Sequence, residues 1–306
     1  MHATQGAVFA TQVLMIRPAA FGFNAETAAS NGFQRGAAAH ADAAALARRE
    51  SAALADALVR AGVDVWMWDD TPDPPKPDAV FPNNWLSTHP DGRVYLYPMA
   101  APNRRAERSP ALIAALVARH RVAEVVDWSG HAAHGRYLEG TGSLVLDVRR
   151  GRVFACRSPR TDPGLVVAWA ARQGLEPVLF DAHDAAGRPI YHTNVILCVG
   201  DGFTACGLAQ VPADQRPALR DRLAEAGACI ELDPPQIDRF AGNMLQLVDA
   251  RGGPLLALSR AALDVLRGEQ RRALERHTAL LPVALPTIEA VGGGSARCML
   301  AELFLP

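Results

Sequence analysis

The sequence predicts a five-bladed, pseudo-symmetric α/β propeller of ββαβ units, closed by pairing of the C-terminal and N-terminal strands. Three observations carry that prediction. A pattern of two short β-like runs, a helical run and a further apolar strand recurs along the chain. The pieces of one such unit lie at opposite ends of the sequence. A polar or reactive residue returns at the same place in every unit. A doubly wound parallel sheet, the competing architecture, would not call for a hairpin in each unit.

Taken in order, the N-terminal pieces are the strand QVLMIRP, the Ala/Leu/Arg-rich run 42–62, whose composition favours helix, and the strand VDVWMWD. The first complete unit is AVFPNNWLSTH, the turn Pro90-Asp91-Gly92, RVYLYPM, the helical SPALIAALVARH and VAEVVDW. The second is LEGTGSLVLDV, the turn Arg150-Gly151, RVFACRS, the helical DPGLVVAWAARQG and EPVLFD. The third is PIYHTNVILCV, the turn Gly200-Asp201-Gly202, FTACGLA, the helical run 213–227 and CIELD. The fourth is FAGNMLQLVDA, the turn Gly252-Gly253, PLLALS, one helical run over 260–277 and LLPVAL. Glycine at each turn supplies the positive φ that tight hairpins demand. The closing RCMLAELFLP opens a fifth unit whose remaining parts are the N-terminal pieces. Pairing the last strand with the first completes that unit and removes an exposed sheet edge. The whole chain, 1–306, is read as a single catalytic domain.

Composition narrows the function. A 49% hydrophobic, 21% charged chain with a formal net charge of -1 has no general attraction to nucleic acid or anionic lipid. Its expected partner is a small molecule. The start MHATQGAVFATQ has no signal-like pattern and no apolar stretch is long enough to span a bilayer, so a cytoplasmic location is expected. Five widely spaced cysteines, an odd number, point to reduced thiols rather than a disulfide framework. A homodimer is compatible with all of this.

Near the start of each unit's first strand stand Asn84, Glu139, His192, Asn243 and Cys298, at intervals of 55, 53, 51 and 55 residues. Singly, each is most simply a satisfied turn or core group, and a lone free cysteine is most simply a small buried hydrophobe. At equivalent positions of a closed ring, however, they would meet at one mouth. A thiol, an imidazole and a carboxylate brought together support covalent catalysis with proton transfer and need no metal or organic cofactor. The other motifs read as structure. Gly140-Thr141-Gly142-Ser143 lacks the Lys of a phosphate cradle and leads into a strand. His131 and His134 have no carboxylate or thiol at metal spacing, and Trp66 and Trp68 alternate as a packing face would.

The run GGGSARCM around Cys298 and the stretch Cys156-Arg157-Ser158-Pro159-Arg160-Thr161 resemble the guanidino-group-modifying enzyme superfamily of arginine deiminases, dimethylarginine hydrolases and amidinotransferases. Weaker likenesses are the His192-Thr193-Asn194 strand, Leu138-Glu139-Gly140 and VFPNNW. The opening LMIRPAAFGFNAETAASNGFQ, FPNNW and LEGTGS look most like its citrulline-utilisation hydrolase branch. The resemblance spans essentially the whole chain and implies the same five-bladed propeller. It implies Cys298 as nucleophile, His192 as general acid/base, Glu139 as the carboxylate on the substrate N–H groups, and Arg160 as the anchor of the substrate α-carboxylate.

Two departures bear on the substrate. The deiminases have Asp at the positions that Asn84 and Asn194 occupy here. Burying a guanidinium beside Asn instead of Asp forfeits ion pairing worth several kcal/mol, on the order of 3–5 for a broken buried pair. A neutral ureido group needs a donor for its carbonyl as well as acceptors, and Asn supplies both. The expectation is therefore hydrolysis of L-citrulline to ornithine, ammonia and carbon dioxide, with Asn84, Asn194, Asn243 and Arg160 as substrate-binding residues. Rival readings are hydrolysis of arginine or dimethylarginine, amidino transfer, and a non-catalytic amino-acid-binding propeller. Asp78, at the end of a Pro-rich connection that also holds Asp69, Asp70 and Asp73, is a further substrate-binding candidate that would restore a charge to the pocket. The segment 19–40 is the long loop available to close over the mouth.

Overall fold

The computed structural model describes residues 8–35 and 42–305. The N-terminal reading of residues 1–7, the end of the long loop at 36–40 and the final Pro306 lie outside the described residues. The chain forms five three-stranded sheets of one design. In the first, β1 (Gln12–Arg17) and β2 (Asp64–Asp69) run parallel, joined through the helix Ala43–Arg60. The next three are hairpins, each followed by a helix and a parallel strand. They are β3 (Leu86–Thr88), β4 (Arg93–Leu96) and β5 (Glu124–Asp127), then β6 (Val145–Asp147), β7 (Arg152–Cys156) and β8 (Glu176–Phe180), then β9 (Leu197–Gly200), β10 (Gly202–Cys206) and β11 (Gly227–Glu231). The fifth sheet holds β12 (Leu245–Val248), β13 (Pro254–Ser259) and β14 (Ala279–Val283). Finally β15 (Ala301–Glu302) pairs antiparallel with β1, Val13 opposite Glu302 and Leu14 opposite Ala301, so the two chain ends share a sheet as the split repeat requires.

Local chemistry sets these elements. The hairpin turns use Gly92, Gly151, Gly202 and Gly252, all at φ between 64° and 83°. Helices start at Ser109, Asp162 and Ser259, whose side chains accept from the N–H three residues on, and the first two are followed by proline at the first helical position. The helix Pro163–Gln173 stops at Gly174, in the left-handed conformation. Its Leu165, Val166, Trp169 and Ala170 form one buried stripe against β7 and β8. Trp169 is fully buried, and its removal would cost about 3–5 kcal/mol.

Three sequence expectations change. The run 260–277 is two helices, Arg260–Val265 and Gly268–Glu275, because Leu266 and Arg267 turn extended before Gly268. Gly140–Ser143 is itself one helical turn ahead of β6, not the start of a strand. The third change concerns the five in-phase residues, which precede the strands. The ladder to each second strand runs out before reaching them, and short turns take over: Pro82–Asn84, Gly140–Ser143, Thr193–Ile196 and Ala296–Met299.

Candidate active site

Those turns aim the polar residues at one small space. Asn84 ends its turn, Glu139 and His192 stand at the N-caps of theirs, and Cys298 lies within the last. Asn243 follows Phe240, whose φ of 61° is the one positive value of a non-glycine residue among the described residues. All five are at most 3% exposed. Gly142 shows how tightly they meet: a Cβ there would lie 2.7 Å from both Asn84 Nδ2 and His192 Nδ1, so only glycine fits.

Cys298 receives amide donors. Asn243 Nδ2 lies 3.3 Å from Sγ and also donates to the Asn194 carbonyl at 2.9 Å, while Asn194 Nδ2 lies 3.6 Å from Sγ. Burial raises the thiol's pKa, but the Ser295 backbone bond, the two asparagines and the Arg297 charge all pull the other way, since each favours the thiolate. The Gly292-Gly293-Gly294 run packs beside this thiol and against Phe81.

His192 Nε2 donates to Glu139 Oε2 at 2.8 Å, which leaves Nδ1 as the free lone pair of a neutral ring. Burial pushes the imidazole down to about 4 despite Glu139 beside it. Burial would raise the Glu139 carboxyl, but Arg160, the His192 bond and Arg104 hold it well below the usual carboxylate range. Its other oxygen accepts from the Ala100 N–H at 2.9 Å. A permanent carboxylate thus orients a neutral base.

Two arginines complete the site. Arg160 Nη1 is 3.5 Å from Glu139, its Nε and Nη2 donate to Ser30 Oγ and the Thr27 carbonyl, and its guanidinium lies 4.8 Å from the centre of the Tyr191 ring. Arg104 was not foreseen. Its Nη1 donates to Asn84 Oδ1 at 2.8 Å, it forms a two-pronged pair with Glu107, and it stands 3.7 Å from Asp78. The signal was available: Arg104 follows Asn84 by 104−84=20 residues and Arg160 follows Glu139 by 160−139=21, the same station in successive units. Burial lifts Glu107 to about 7 in spite of Arg104. Asp78 also lines the site, 3% exposed; Oδ2 accepts from Asn24 and Thr27, whereas Oδ1 has no partner among the described residues. Asp69 is exposed and Asp70 pairs with Lys76, so of that acidic connection Asp78 is the member that lines the site.

The described part of the long loop roofs this constellation. Asn31 donates to the Gly292 and Gly293 carbonyls, Gln34 to Val291, and Phe33 packs edge-on against Tyr191, whose hydroxyl donates to the Gly293 carbonyl. The side chains close on one another, leaving about 10 Å³, room for roughly one water. Among the described residues no group of three or more His, Cys, Asp or Glu is placed to hold a metal ion, and no helix is long and apolar enough to cross a membrane.

Solved structures share this fold. The chain superposes on the N-terminal domain of ArgZ, an arginine dihydrolase from the ornithine-ammonia cycle in cyanobacteria, in a substrate-bound cysteine variant. The TM-score is 0.75 at 16% identity, over 95% of this chain and 97% of that one. Against the longer ArgZ chain the TM-score is 0.76 at 16% identity, and this chain, 96% covered, spans 41% of its length. A dimethylarginine dimethylaminohydrolase adduct with S-methyl-L-thiocitrulline gives 0.64 at 15% identity, with 97% and 100% covered. No curated protein sequence matches the chain significantly. The family described as N,N dimethylarginine dimethylhydrolase, eukaryotic, matches residues 17–305. With nearly its full length matched, the chain belongs to the N,N dimethylarginine dimethylhydrolase family, within the guanidino-group-modifying superfamily, and is a hydrolase acting on a non-peptide C–N bond.

Proposed function

We propose that the chain is a single-domain, five-bladed propeller that hydrolyses the ureido group of L-citrulline through a covalent intermediate on Cys298. The observation that carries this is the ring of amides around the thiol. Asn194 and Asn243 face Sγ, and Asn84 replaces a carboxylate and already accepts from a cation, Arg104. A guanidinium tail would be a third buried cation beside Arg104 and Arg160, whereas a ureido tail brings no charge and a carbonyl that amide N–H groups suit. Arg160 anchors the α-carboxylate by exchanging its Thr27 and Ser30 contacts for substrate oxygens. Asp78 Oδ1, buried and unpartnered, receives the α-ammonium.

In the reaction, the neutral His192 takes the S–H proton of Cys298, the thiolate adds to the ureido carbon and the terminal C–N bond breaks. His192 delivers the proton with which ammonia leaves, and the ornithine nitrogen stays on the carbon as an S-carbamoyl enzyme. His192 then takes a proton from water. Hydroxide adds, the C–S bond breaks, and the carbamate released decomposes to ornithine and carbon dioxide. Glu139 stabilises the imidazolium in each half. Mixing citrulline with the enzyme and quenching should reveal, by intact mass, a chain heavier by citrulline less ammonia. Its absence at every quench time, with turnover proceeding, would refute the covalent route.

A second reading, hydrolysis of arginine or dimethylarginine, is favoured by the same Asp78, since a free buried carboxylate also suits a guanidinium. Arg104, 3.7 Å away, already answers part of that charge. The arginine dihydrolases that share the fold keep this reading in play as the comparison to run.

A further inference from the structure

Arg297 and Cys298 are consecutive in one short turn, yet their side chains line different cavities. Cys298 faces the substrate site; Arg297 faces a cavity of about 40 Å³ walled by residues of β6, β9, β12 and β15, including Asp147, Gln246 and Glu302. Arg297 is 5% exposed. Its guanidinium makes one bond among the described residues, from Nη1 to the Met244 carbonyl at 3.4 Å, and its buried Nε has no partner. Glu302, half-buried, shares the cavity but forms no ion pair with Arg297 at 4.0 Å or less among the described residues. Asp147 is turned to Arg150, and Gln246 accepts from the Asp201 N–H.

A buried cation held this loosely costs stability, and an apolar side chain would fill the space at less expense. Local rules broken next to reacting groups point to function. An anion-binding role is disfavoured because Glu302 already places a carboxylate there. What remains is the field of the charge itself, which acts across a low-dielectric turn on the neighbouring thiol.

We propose that Arg297 is a positioning residue whose cation, fixed behind the nucleophile, stabilises the Cys298 thiolate, with Glu302 setting how much of that charge the sulfur feels. The inference rests on Cys298 being the nucleophile. Geometry separates it from a scaffold role: the backbone N–H of Arg297, not its side chain, donates to Asn243 Oδ1, so replacing the side chain leaves the Asn243 contact to Sγ in place. The other charged or titratable groups facing the thiol, Asp78, Arg104, Arg160, Tyr191 and His192, with Glu139 behind His192, lie on the substrate side and are unchanged by these substitutions. Behind the turn, Asp147, Arg149 and Glu302 line the cavity.

The test is the pH dependence of Cys298 alkylation by iodoacetamide, read by mass spectrometry on the peptide that carries it. The chains compared are wild type, Arg297→Met, Arg297→Lys and Glu302→Gln. Arg297→Met should move the thiolate inflection up by about one pH unit and slow alkylation about tenfold at neutral pH. Glu302→Gln should move it down, and Arg297→Lys should restore it. The account is overturned if Arg297→Met and Glu302→Gln leave the inflection unmoved or shift it in the same direction. If Arg297→Met does not fold, the Glu302→Gln and Arg297→Lys arms decide alone: a fall with the first and a wild-type value with the second support the assignment, and any other result contradicts it. Turnover that survives Cys298→Ser would refute the nucleophile reading alone, since alkylation reports the thiol directly.

Discussion

Cys156 and Cys298 are both deeply buried thiols, and burial alone does not tell them apart. Cys156 ends β7 and donates its S–H to the Ile190 carbonyl at 3.4 Å, a bond that only the neutral thiol can make, while Thr193 Oγ1 approaches its sulfur at 3.5 Å; burial pushes the thiol up to about 12. Cys298 sits in a turn, with Asn243 Nδ2 donating to Sγ at 3.3 Å, the Asn194 amide presenting Nδ2 at 3.6 Å and Oδ1 at 3.8 Å, and the Arg297 charge adjacent; burial raises its pKa, and the amide donors and the cation oppose that rise. The difference teaches that a thiol's role is set by the sense of its hydrogen bonds. At the end of its strand Cys156 meets a carbonyl, one hydroxyl and apolar neighbours, while the turn at the site gives Cys298 amide donors.

The comparison predicts divergent mutants. Cys298→Ser should lower kcat by at least about 10³-fold while leaving the fold intact; loss of less than tenfold would put the two thiols on equal footing. His192→Asn should cost about 10²–10⁴-fold in turnover, and Glu139→Gln should act in the same direction through the base it orients. Replacing one donor at the thiol, Asn194→Asp, should slow citrulline turnover and move the citrulline-to-arginine preference toward arginine by about tenfold, measured as a ratio of kcat/KM values. Cys156→Ala should cost about 1–2 kcal/mol in urea unfolding, below the range for losing a whole Leu side chain, and leave kcat unchanged.

A pH prediction follows from the imidazoles. His192 and His89 are held neutral by burial, each down to about 4 from the usual 6.5. Below pH 6.5 the unfolded chain binds the protons that the folded chain refuses. Stability from this source is therefore full above about 6.5 and declines as pH falls toward about 4. Thermal melts across that window should show the decline, shallower in His192→Asn. Glu107, raised to about 7, works in the opposite sense, since its ionisation in the folded state is resisted as pH rises from its ordinary 4.5.

Much of this was legible in the sequence because repeats are legible. Gly92, Gly151, Gly202 and Gly252 mark the hairpins by the backbone conformation they permit, and the divided unit foretold the pairing of β15 with β1. The five in-phase residues did converge, as the ring reading required. Their exact seating did not show, because a periodic pattern marks position along the repeat but not where a hydrogen-bond ladder ends. Asn84 and Glu139 accordingly lie on turns rather than strands. Arg104 belongs to a connection, where hydrophobic period carries no information, and its one trace was its interval of 20 residues after Asn84, close to the 21 between Glu139 and Arg160. The roof made by Asn31 and Phe33 depends on contacts some 260 and 160 residues apart in sequence, which no local pattern encodes.

The central claim is that amides, not carboxylates, receive the substrate's tail, so the most direct measurement is kcat/KM for L-citrulline, L-arginine and dimethylarginine, followed by ornithine and ammonia formation. The site geometry predicts that citrulline is preferred by about tenfold or more over both cations and yields ornithine with one ammonia. Faster turnover of arginine or dimethylarginine than of citrulline would contradict it.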